Sequence, residues 1–515
     1  MKYEELVRNF SWNEVKNYFG KDFRDKLIRD SSDTAVFRVD SKWDKESLSY
    51  SQLKDKAQRL SAFLRHQFKV KKGDVVACLA SKKVEQVVYL VSSWILGVIY
   101  EPLFTAFGPA AIEMRTRDRK PKVILAQDDQ YDKIKDMFNN IITFPGKTGN
   151  SVSLDEAISY DMLRREEWEK ISYDDPSGLQ YTSGTTGRPK GALQNFRTLY
   201  SLYVYIKYGI GLREDDVFWT PADPGWAYGL GVGIISPIIF GKTVIFFDKL
   251  FSPEDTLKFI EDFKISNFAF VPTAYRMIMG TVKEPKKFNL RITRASSAGE
   301  PLNPEVIRWF KENLDFMIKD HYGQTESGMV VYNGWGYEAD VKPGSMGLPA
   351  PGYQVTVIDG VIAVNKNCEG FYFLGYINDE ERTKKVFKGD WYLTGDAAEI
   401  DKDGYFWFIG REDEVIKVSG YRASPFEIES VLIQHPAIME AAVIGVDDPV
   451  KGKIIKAYVV LKPNYKPSDD LANEIINFVR EKYSRHAYPR EVKFVTSLPK
   501  TESGKIQKYK LKELG

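Results

Sequence analysis

Residues 181–191, YTSGTTGRPKG, place four Ser and Thr hydroxyls, three glycines and a lysine within eleven positions. Hydroxyl donors, backbone N–H groups freed by Gly184, Gly187 and Gly191, and the Lys190 cation together suit a polyphosphate. The order is not that of a Walker loop, in which Gly-Lys is followed by Ser or Thr. Here Pro189 precedes Lys190 and Gly191 follows it. A polar surface turn is the bland alternative, but two Thr, two Gly and a Pro-Lys-Gly ending after an expected strand favour phosphate. Nucleophilic catalysis finds no such support. His66, His321, His435 and His486 are scattered, and neither a Ser-His-Asp nor a Cys-His set stands out. His435, directly before Pro436 at a helix end, reads as a cap.

Such a loop needs a scaffold. At 515 residues the chain exceeds the size at which one hydrophobic core stops growing, so at least two domains are expected. A net charge of +2 gives no electrostatic reason to expect nucleic acid or an anionic membrane. With Cys78 and Cys368 alone, neither a disulfide framework nor a zinc site is suggested, and a reducing, cytoplasmic compartment fits. The first residues lack the apolar run of a secretory signal. The longest apolar stretch, 87–100, is too short to span a bilayer and is expected as a buried helix.

Residues 49–105 alternate a helix, a strand VVACLA, a helix VEQVVYLVSSWILG and a strand VIYEPLF. The rhythm recurs through KTVIFF, PEDTLKFIEDFK, NFAFVPT, a helix from Ala274, RITRASSAGE and NPEVIRWFKEN. This alternation predicts an α/β fold of doubly wound sheets with crossover helices. From about Gly344, short runs such as GYQVTVID and YFWFIG between Gly, Asn and Asp turns predict a small antiparallel β part. A compact α+β unit follows GREDEVIK. The expected organisation is a large N-terminal domain over 1–412 and a small, mobile C-terminal lid over 413–515.

The opening loop resembles the phosphate loop of the adenylate-forming superfamily, which includes the AMP-forming acyl-CoA synthetases. SAGEP at 297–301, YGQTE at 322–326, YLTGD at 392–396 and GREDEVIKVSGYR at 410–422 stand in that family's order and spacing, and PKTESGKIQK at 499–508 closes the set. PADPGWAYGL at 221–230 is similar to the acetyl-CoA and medium-chain acyl-CoA synthetase branch. The resemblance implies a nucleotide site. Thr182, Ser183, Gly184, Thr185, Thr186, Gly187 and Lys190 would serve the phosphates, and Gly299, Glu300 and Pro301 the adenine. Asp320, His321, Tyr322, Gly323, Gln324 and Thr325 would line the site, with Asp396, Arg411, Arg422 and Lys505 at the ribose and phosphate end.

Residue chemistry agrees with several of these roles. Glu326 is a hard oxygen donor suited to Mg²⁺ bridging phosphate oxygens, and Thr325 can donate to the α-phosphate. Gly299 lets a flat ring approach the backbone. Asp396 could accept both ribose hydroxyls, its bland alternative being an Asx turn. Lys505, by its neighbours alone a solvated surface lysine, matches the family's catalytic lysine, which stabilises charge developing at the α-phosphate. Arg411 is implied beside it as the second catalytic residue. Asp413 matches the hinge. Glu414 replaces the usual second hinge Asp, and Lys508 replaces a frequent Arg and is read as structural.

The activity so implied is acyl-CoA synthesis from a carboxylic acid, ATP and CoA, with Mg²⁺ and no prosthetic group. An acyl-adenylate forms first; the lid then rotates about Asp413 and a thiol attacks. Ser419, Gly420 and Arg480 are implied at CoA, with Gly420 where any side chain would obstruct the pantetheine path. The acyl pocket is expected from Trp226, Ala227, Tyr228, Ala298 and Gly323. Gly323 stands where acetyl-CoA synthetases carry Trp, and Ala227 and Ala298 where Val is usual. The space freed would admit methylenes worth up to about 0.8 kcal/mol each when buried. Tyr228 is larger than its counterparts, and its hydroxyl could either shorten the pocket or meet a polar acyl chain. Short- to medium-chain acids larger than acetate, hydroxy acids included, are expected. Acetate, or delivery to a separate carrier protein, are the rival readings; intact Glu326 and Lys505 speak against a non-catalytic nucleotide-binding regulator. Oligomeric state, a homo-oligomer included, is left open.

Overall fold

The computed structural model describes residues 1–182, 189–412, 414–418, 421–448, 452–483, 487–501 and 506–511. Ser183, Gly184, Thr185, Thr186, Gly187, Asp413, Ser419, Gly420 and Lys505 lie outside the described residues, as does the side chain of Arg422.

Two large sheets carry the N-terminal part. Strands Val75–Leu79, Ile99–Leu103, Val123–Gln127 and Ile141–Phe144 run parallel inside an eight-stranded sheet. Val75–Leu79 and Ile99–Leu103 are buried at every position, as continuous apolar runs require when helices cover both faces. Helix Val84–Ile95 is buried almost throughout and packs on helix Tyr50–His66. The latter starts at a capping box: the Ser49 hydroxyl accepts from the Gln52 N–H, and the Gln52 side chain accepts from the Ser49 N–H.

Near one edge of this sheet, strand Pro176–Thr182 pairs antiparallel with Lys190–Asn195, with Thr182 opposite Lys190. Residues 183–189 therefore join two paired strands rather than a strand and a helix, which is why the Walker order is absent.

In the second sheet, Phe218–Trp219, Asn267–Phe270, Arg294–Ala298 and Ile318–Gln324 run parallel, and Gly328–Tyr332 and Leu348–Pro349 complete it antiparallel. The connecting helices Pro253–Asp262, Pro272–Thr281 and Pro304–Leu314 each open on proline, whose missing N–H costs nothing in the first turn. They bury Phe259, Tyr275 and Phe310 against Trp219 and Phe268. The strand in KTVIFF departs from expectation. Val244–Asp248 pairs with Thr34–Asp40 in a separate three-stranded sheet, where Arg38 meets Asp248 at 2.6 Å.

The antiparallel part comprises Val355–Ile358, Val361–Asn365, Phe387–Lys388, Trp391–Ile400 and Phe406–Arg411. One strand of that region, Phe373–Tyr376, leaves it and pairs with Lys190–Asn195 at the edge of the eight-stranded sheet.

The C-terminal part pairs Ile416–Val418 with Tyr421–Ala423. Helix Pro425–Leu432 follows, then the long hairpin Ile438–Asp448 and Gly452–Leu461, helix Asp469–Lys482 and strand Glu491–Phe494. Ile428, Leu432, Val443, Val459 and Val479 form a core cluster separate from those of the N-terminal sheets. The chain is thus a large α/β part followed by a small α+β part. Among the described residues no helix is long and apolar enough to cross a membrane. Cys78 and Cys368 are free and buried, and the Nδ1 atom of His435 accepts the Ala437 N–H at 3.3 Å, a bond beyond the end of helix Pro425–Leu432 rather than a cap on it.

Candidate active site

A cavity of about 580 Å³ is lined by both parts of the chain. Parallel strands deliver residues at their C-terminal ends, where open α/β sheets place ligands. Segment 299–301 follows strand Arg294–Ala298, and 320–325 ends strand Ile318–Gln324. Both segments line the cavity, as do Thr182, Lys190, Glu326, Asp396 and Arg411. Ile506 and Lys508 close it from the C-terminal side.

Asp396 and Arg411 are direct register partners on adjacent antiparallel strands. The Arg411 guanidinium donates to Asp396 Oδ1 at 2.8 Å and to the Thr394 carbonyl at 3.1 Å. Oδ2 accepts from the Tyr322 hydroxyl at 2.7 Å and from Gln324 Nε2 at 2.6 Å. The Gln324 carbonyl in turn accepts from the Tyr392 hydroxyl at 2.8 Å. The Asp396 carboxylate, 6% exposed, is therefore fixed in orientation by its donors.

Glu326, 4% exposed, stands 3.1 Å from Lys190. The Tyr376 hydroxyl accepts from Lys190 at 2.8 Å and donates to Glu326 Oε1 at 2.8 Å. Burial and the neighbouring carboxylate keep that phenol protonated by raising its pKa. Tyr376 carries no motif. Its place at the phosphate-loop base depends on strand Phe373–Tyr376 joining the other sheet, which local sequence does not announce.

The Glu300 side chain is committed to the protein. Both of its oxygens accept from the Thr273 hydroxyl, at 2.9 and 2.8 Å, and Arg276 donates at 2.8 Å. Arg276 also reaches Asn303, whose Nδ2 donates to Ser430 of the C-terminal part at 2.8 Å. Gly299 has φ +97°, and a Cβ there would lie 3.0 Å from the Trp226 ring, so glycine is required on both backbone and steric grounds.

His321 is fully buried and its pKa is lowered to about 3, chiefly by desolvation. The neutral ring donates through Nε2 to the Asn333 carbonyl at 3.3 Å. Its Nδ1 then accepts from Tyr205 at 2.9 Å, so Tyr205 accepts from Tyr228 at 2.9 Å. This buried relay spends the Tyr228 proton on Tyr205 and leaves its oxygen able only to accept from anything else. Asp320 is held above the usual carboxylate range by burial.

Of the expected acyl-pocket residues, Gly323 lines the cavity; Trp226 stands behind Gly299, and Tyr228 and Ala298 are buried. The space beside Gly323 corrects one expectation. A Cβ there would lie 2.2 Å from the Gly328 carbonyl and 2.7 Å from the Met329 Cα, because the two strands pair across an irregular register. Glycine is dictated here by backbone packing, and the missing indole does not by itself measure free acyl space. Arg480 is exposed on the last turn of helix Asp469–Lys482, apart from the cavity lining.

The AMP-binding enzyme model matches residues 24–370, and the AMP-binding enzyme C-terminal domain model matches residues 427–505. The chain belongs to the AMP-binding enzyme family. It is 35% identical to acetyl-coenzyme A synthetase of Bacillus subtilis, covering 99% of this chain and 94% of that one. It is 34% identical to 4-hydroxybutyrate–CoA ligase 1 of Metallosphaera sedula, over 98% of this chain and 91% of the other. The solved anthranilate CoA ligase AuaEII in complex with anthranoyl-AMP superposes with a TM-score of 0.88 at 27% identity, covering 98% and 99% of the two chains. This family member is an AMP-forming acyl-CoA synthetase, an acid–thiol ligase of the adenylate-forming superfamily, with ATP and CoA as co-substrates.

Proposed function

We propose that the enzyme acts on short- to medium-chain carboxylic acids larger than acetate, hydroxy acids included, and that the cavity is where the acyl-adenylate forms. The convergence of the ordered Asp396 cluster and the Lys190–Tyr376–Glu326 cluster on one cavity carries this reading. Adenine would lie against Gly299, and the ribose hydroxyls would donate to Asp396, pre-oriented by Tyr322, Gln324 and Arg411. Thr182, Lys190 and the loop between them would hold the β- and γ-phosphates as the departing pyrophosphate.

Among the described residues no group of three His, Cys, Asp or Glu gathers to hold a metal. Glu326 still fits Mg²⁺, which is commonly held by one or two carboxylates plus substrate phosphates. Glu326, ordered by Tyr376 and Lys190 through Oε1, would hold the ion, and bound Mg²⁺ would neutralise phosphate charge.

The carboxylate oxygen attacks the α-phosphorus, forming a C–O–P link as the bond to the bridging oxygen of pyrophosphate breaks. Lys505 stabilises that charge. The part beyond residue 412 then turns about Asp413, the CoA thiolate attacks the acyl carbonyl with Ser419, Gly420 and Arg480 serving CoA, and AMP leaves. Substrate choice rests on Tyr228. As an acceptor toward the pocket it would favour an acyl chain ending in a hydroxyl over one ending in an acceptor. The likeness to a 4-hydroxybutyrate–CoA ligase supports the same class.

A pyrophosphate-release assay with CoA across straight-chain, branched, hydroxylated and aromatic acids tests this. Higher kcat/KM for chains longer than acetate, hydroxy acids among them, is expected; a preference for acetate contradicts it. Comparing CoA with a pantetheinylated carrier protein as acceptor separates the carrier-loading alternative.

A further inference from the structure

Among the described basic residues that line the cavity, Lys190, Arg276, Arg411 and Lys508 each face a carboxylate whose side chain is at most 15% exposed: Glu326 at 3.1 Å, and Glu300, Asp396 and Glu429 at 2.8 Å. Those cations are offset within the protein. Arg382 also lines the cavity, but its partner there is Asp379, 3.3 Å away through Nε, with the two side chains 33% and 38% exposed. A single-point ion pair of that exposure contributes little and is readily exchanged for a better anion. No other described carboxylate lies within ion-pair distance of the Arg382 guanidinium.

The backbone holds Arg382 beside the Lys190–Tyr376–Glu326 cluster. Strand Phe373–Tyr376 pairs with Lys190–Asn195, and the Ile377 N–H continues the pairing by donating to the Gly191 carbonyl at 2.8 Å. Helix Glu380–Lys385 starts shortly after, capped by the Asp379 side chain, which accepts the Arg382 N–H at 3.0 Å. The Thr383 hydroxyl fastens this helix to the strand: it donates to the Asp379 carbonyl at 2.9 Å and accepts the Tyr376 N–H at 2.8 Å. Tyr376 is the residue whose hydroxyl bridges Lys190 and Glu326. The Arg382 charge reaches that phenol, opposing in part the upward pKa shift that burial and Glu326 impose on it.

We infer that Arg382 is a further substrate-binding residue: its guanidinium takes the terminal phosphate of ATP, and then the departing pyrophosphate, at the end of the cavity built by Lys190, Tyr376 and Glu326. A phosphate carries more charge than the Asp379 carboxylate and suits the planar fork of an arginine in two-point contact, so the exchange of partners favours the ligand. Lys190 supplies less of this neutralisation, because Glu326 already offsets its charge. AMP has no terminal phosphate beyond the α position and gains nothing from Arg382. The residue therefore favours the triphosphate substrate over the nucleotide product.

The inference rests on the placement of the β- and γ-phosphates at this end of the cavity, and the experiment separates the two. Equilibrium affinities for ATP, pyrophosphate and AMP are measured with Mg²⁺ on the full-length enzyme and on Arg382→Gln, Arg382→Lys, Asp379→Asn and Lys190→Ala. Arg382→Gln is expected to weaken ATP and pyrophosphate by roughly 10- to 100-fold and to leave AMP unchanged. Arg382→Lys should recover part of the loss, since it keeps the charge without the fork. Asp379→Asn removes the same ion pair while keeping a good capping residue, and should retain or tighten both affinities. Parent affinity for pyrophosphate in Arg382→Gln, an equal weakening of AMP, or the same loss in Asp379→Asn overturns the inference. Should Lys190→Ala also leave ATP and pyrophosphate affinity unchanged, the placement beneath it falls as well.

Discussion

Each polar group around the cavity is set by its neighbours. Tyr376 is the clearest case, since one hydroxyl orders both Lys190 and Glu326. Tyr376→Phe keeps the ring and removes the bridge. The Mg²⁺ concentration for half-maximal activity should rise by about 10-fold or more, as removing a partner of a metal ligand does. A Mg²⁺ titration of the adenylation step checks this, and an unchanged curve would detach Tyr376 from the phosphate end. Asp396, Glu326 and Gly299 were legible in the sequence because each stands in a motif, YLTGD, YGQTE or SAGEP, that resembles the adenylate-forming pattern. Tyr376, Thr273 and Arg276 were not. Their roles come from which strand lies beside which and from helix Pro272–Thr281 packing beneath the 299–301 turn.

Strand Ile318–Gln324 shows how an element constrains its residues. The irregular pairing of Gly323 with Met329 fills the space where an indole would start. Gly323→Trp should therefore destabilise the fold by about 1–3 kcal/mol or more through overpacking, rather than simply shortening the acyl pocket. Thermal unfolding decides; an unchanged Tm with activity narrowed to acetate would restore the simpler view. His321 on the same strand makes stability depend on pH. Its folded value is lowered to about 3 from 6.5, so on acidification the unfolded chain binds this proton first. The His321 contribution is lost as pH falls from 6.5 toward 3, at about 1.4 kcal/mol per unit, and is constant above that window. Urea unfolding at pH 4.5 and 7.5 should show a smaller difference for His321→Asn than for the parent, and equal differences would contradict the assignment. The parallel strands and their helices could be read from apolar runs and proline starts. The assignment of Val244–Asp248 and Phe373–Tyr376 to other sheets could not, because partner choice is a long-range matter that a strand's own pattern does not encode.

For the whole molecule, two parts with separate cores line one cavity, and the chain between them passes Arg411 and Glu414 at the cavity wall. We place the boundary between the two parts near residue 412, at the change of texture in the sequence. In the mechanism we propose, this organisation would let one site serve two chemistries by moving the smaller part. Gly420→Leu should slow thiol transfer while sparing adenylation. The most direct test of the account is a rapid-quench measurement of Lys505→Ala with ATP, a carboxylic acid and CoA, set beside the same enzyme given preformed acyl-adenylate and CoA. Adenylate formation reduced to background with thioester formation from the supplied adenylate intact is the result predicted. Loss of both steps together, or adenylation at the parent rate, would contradict it.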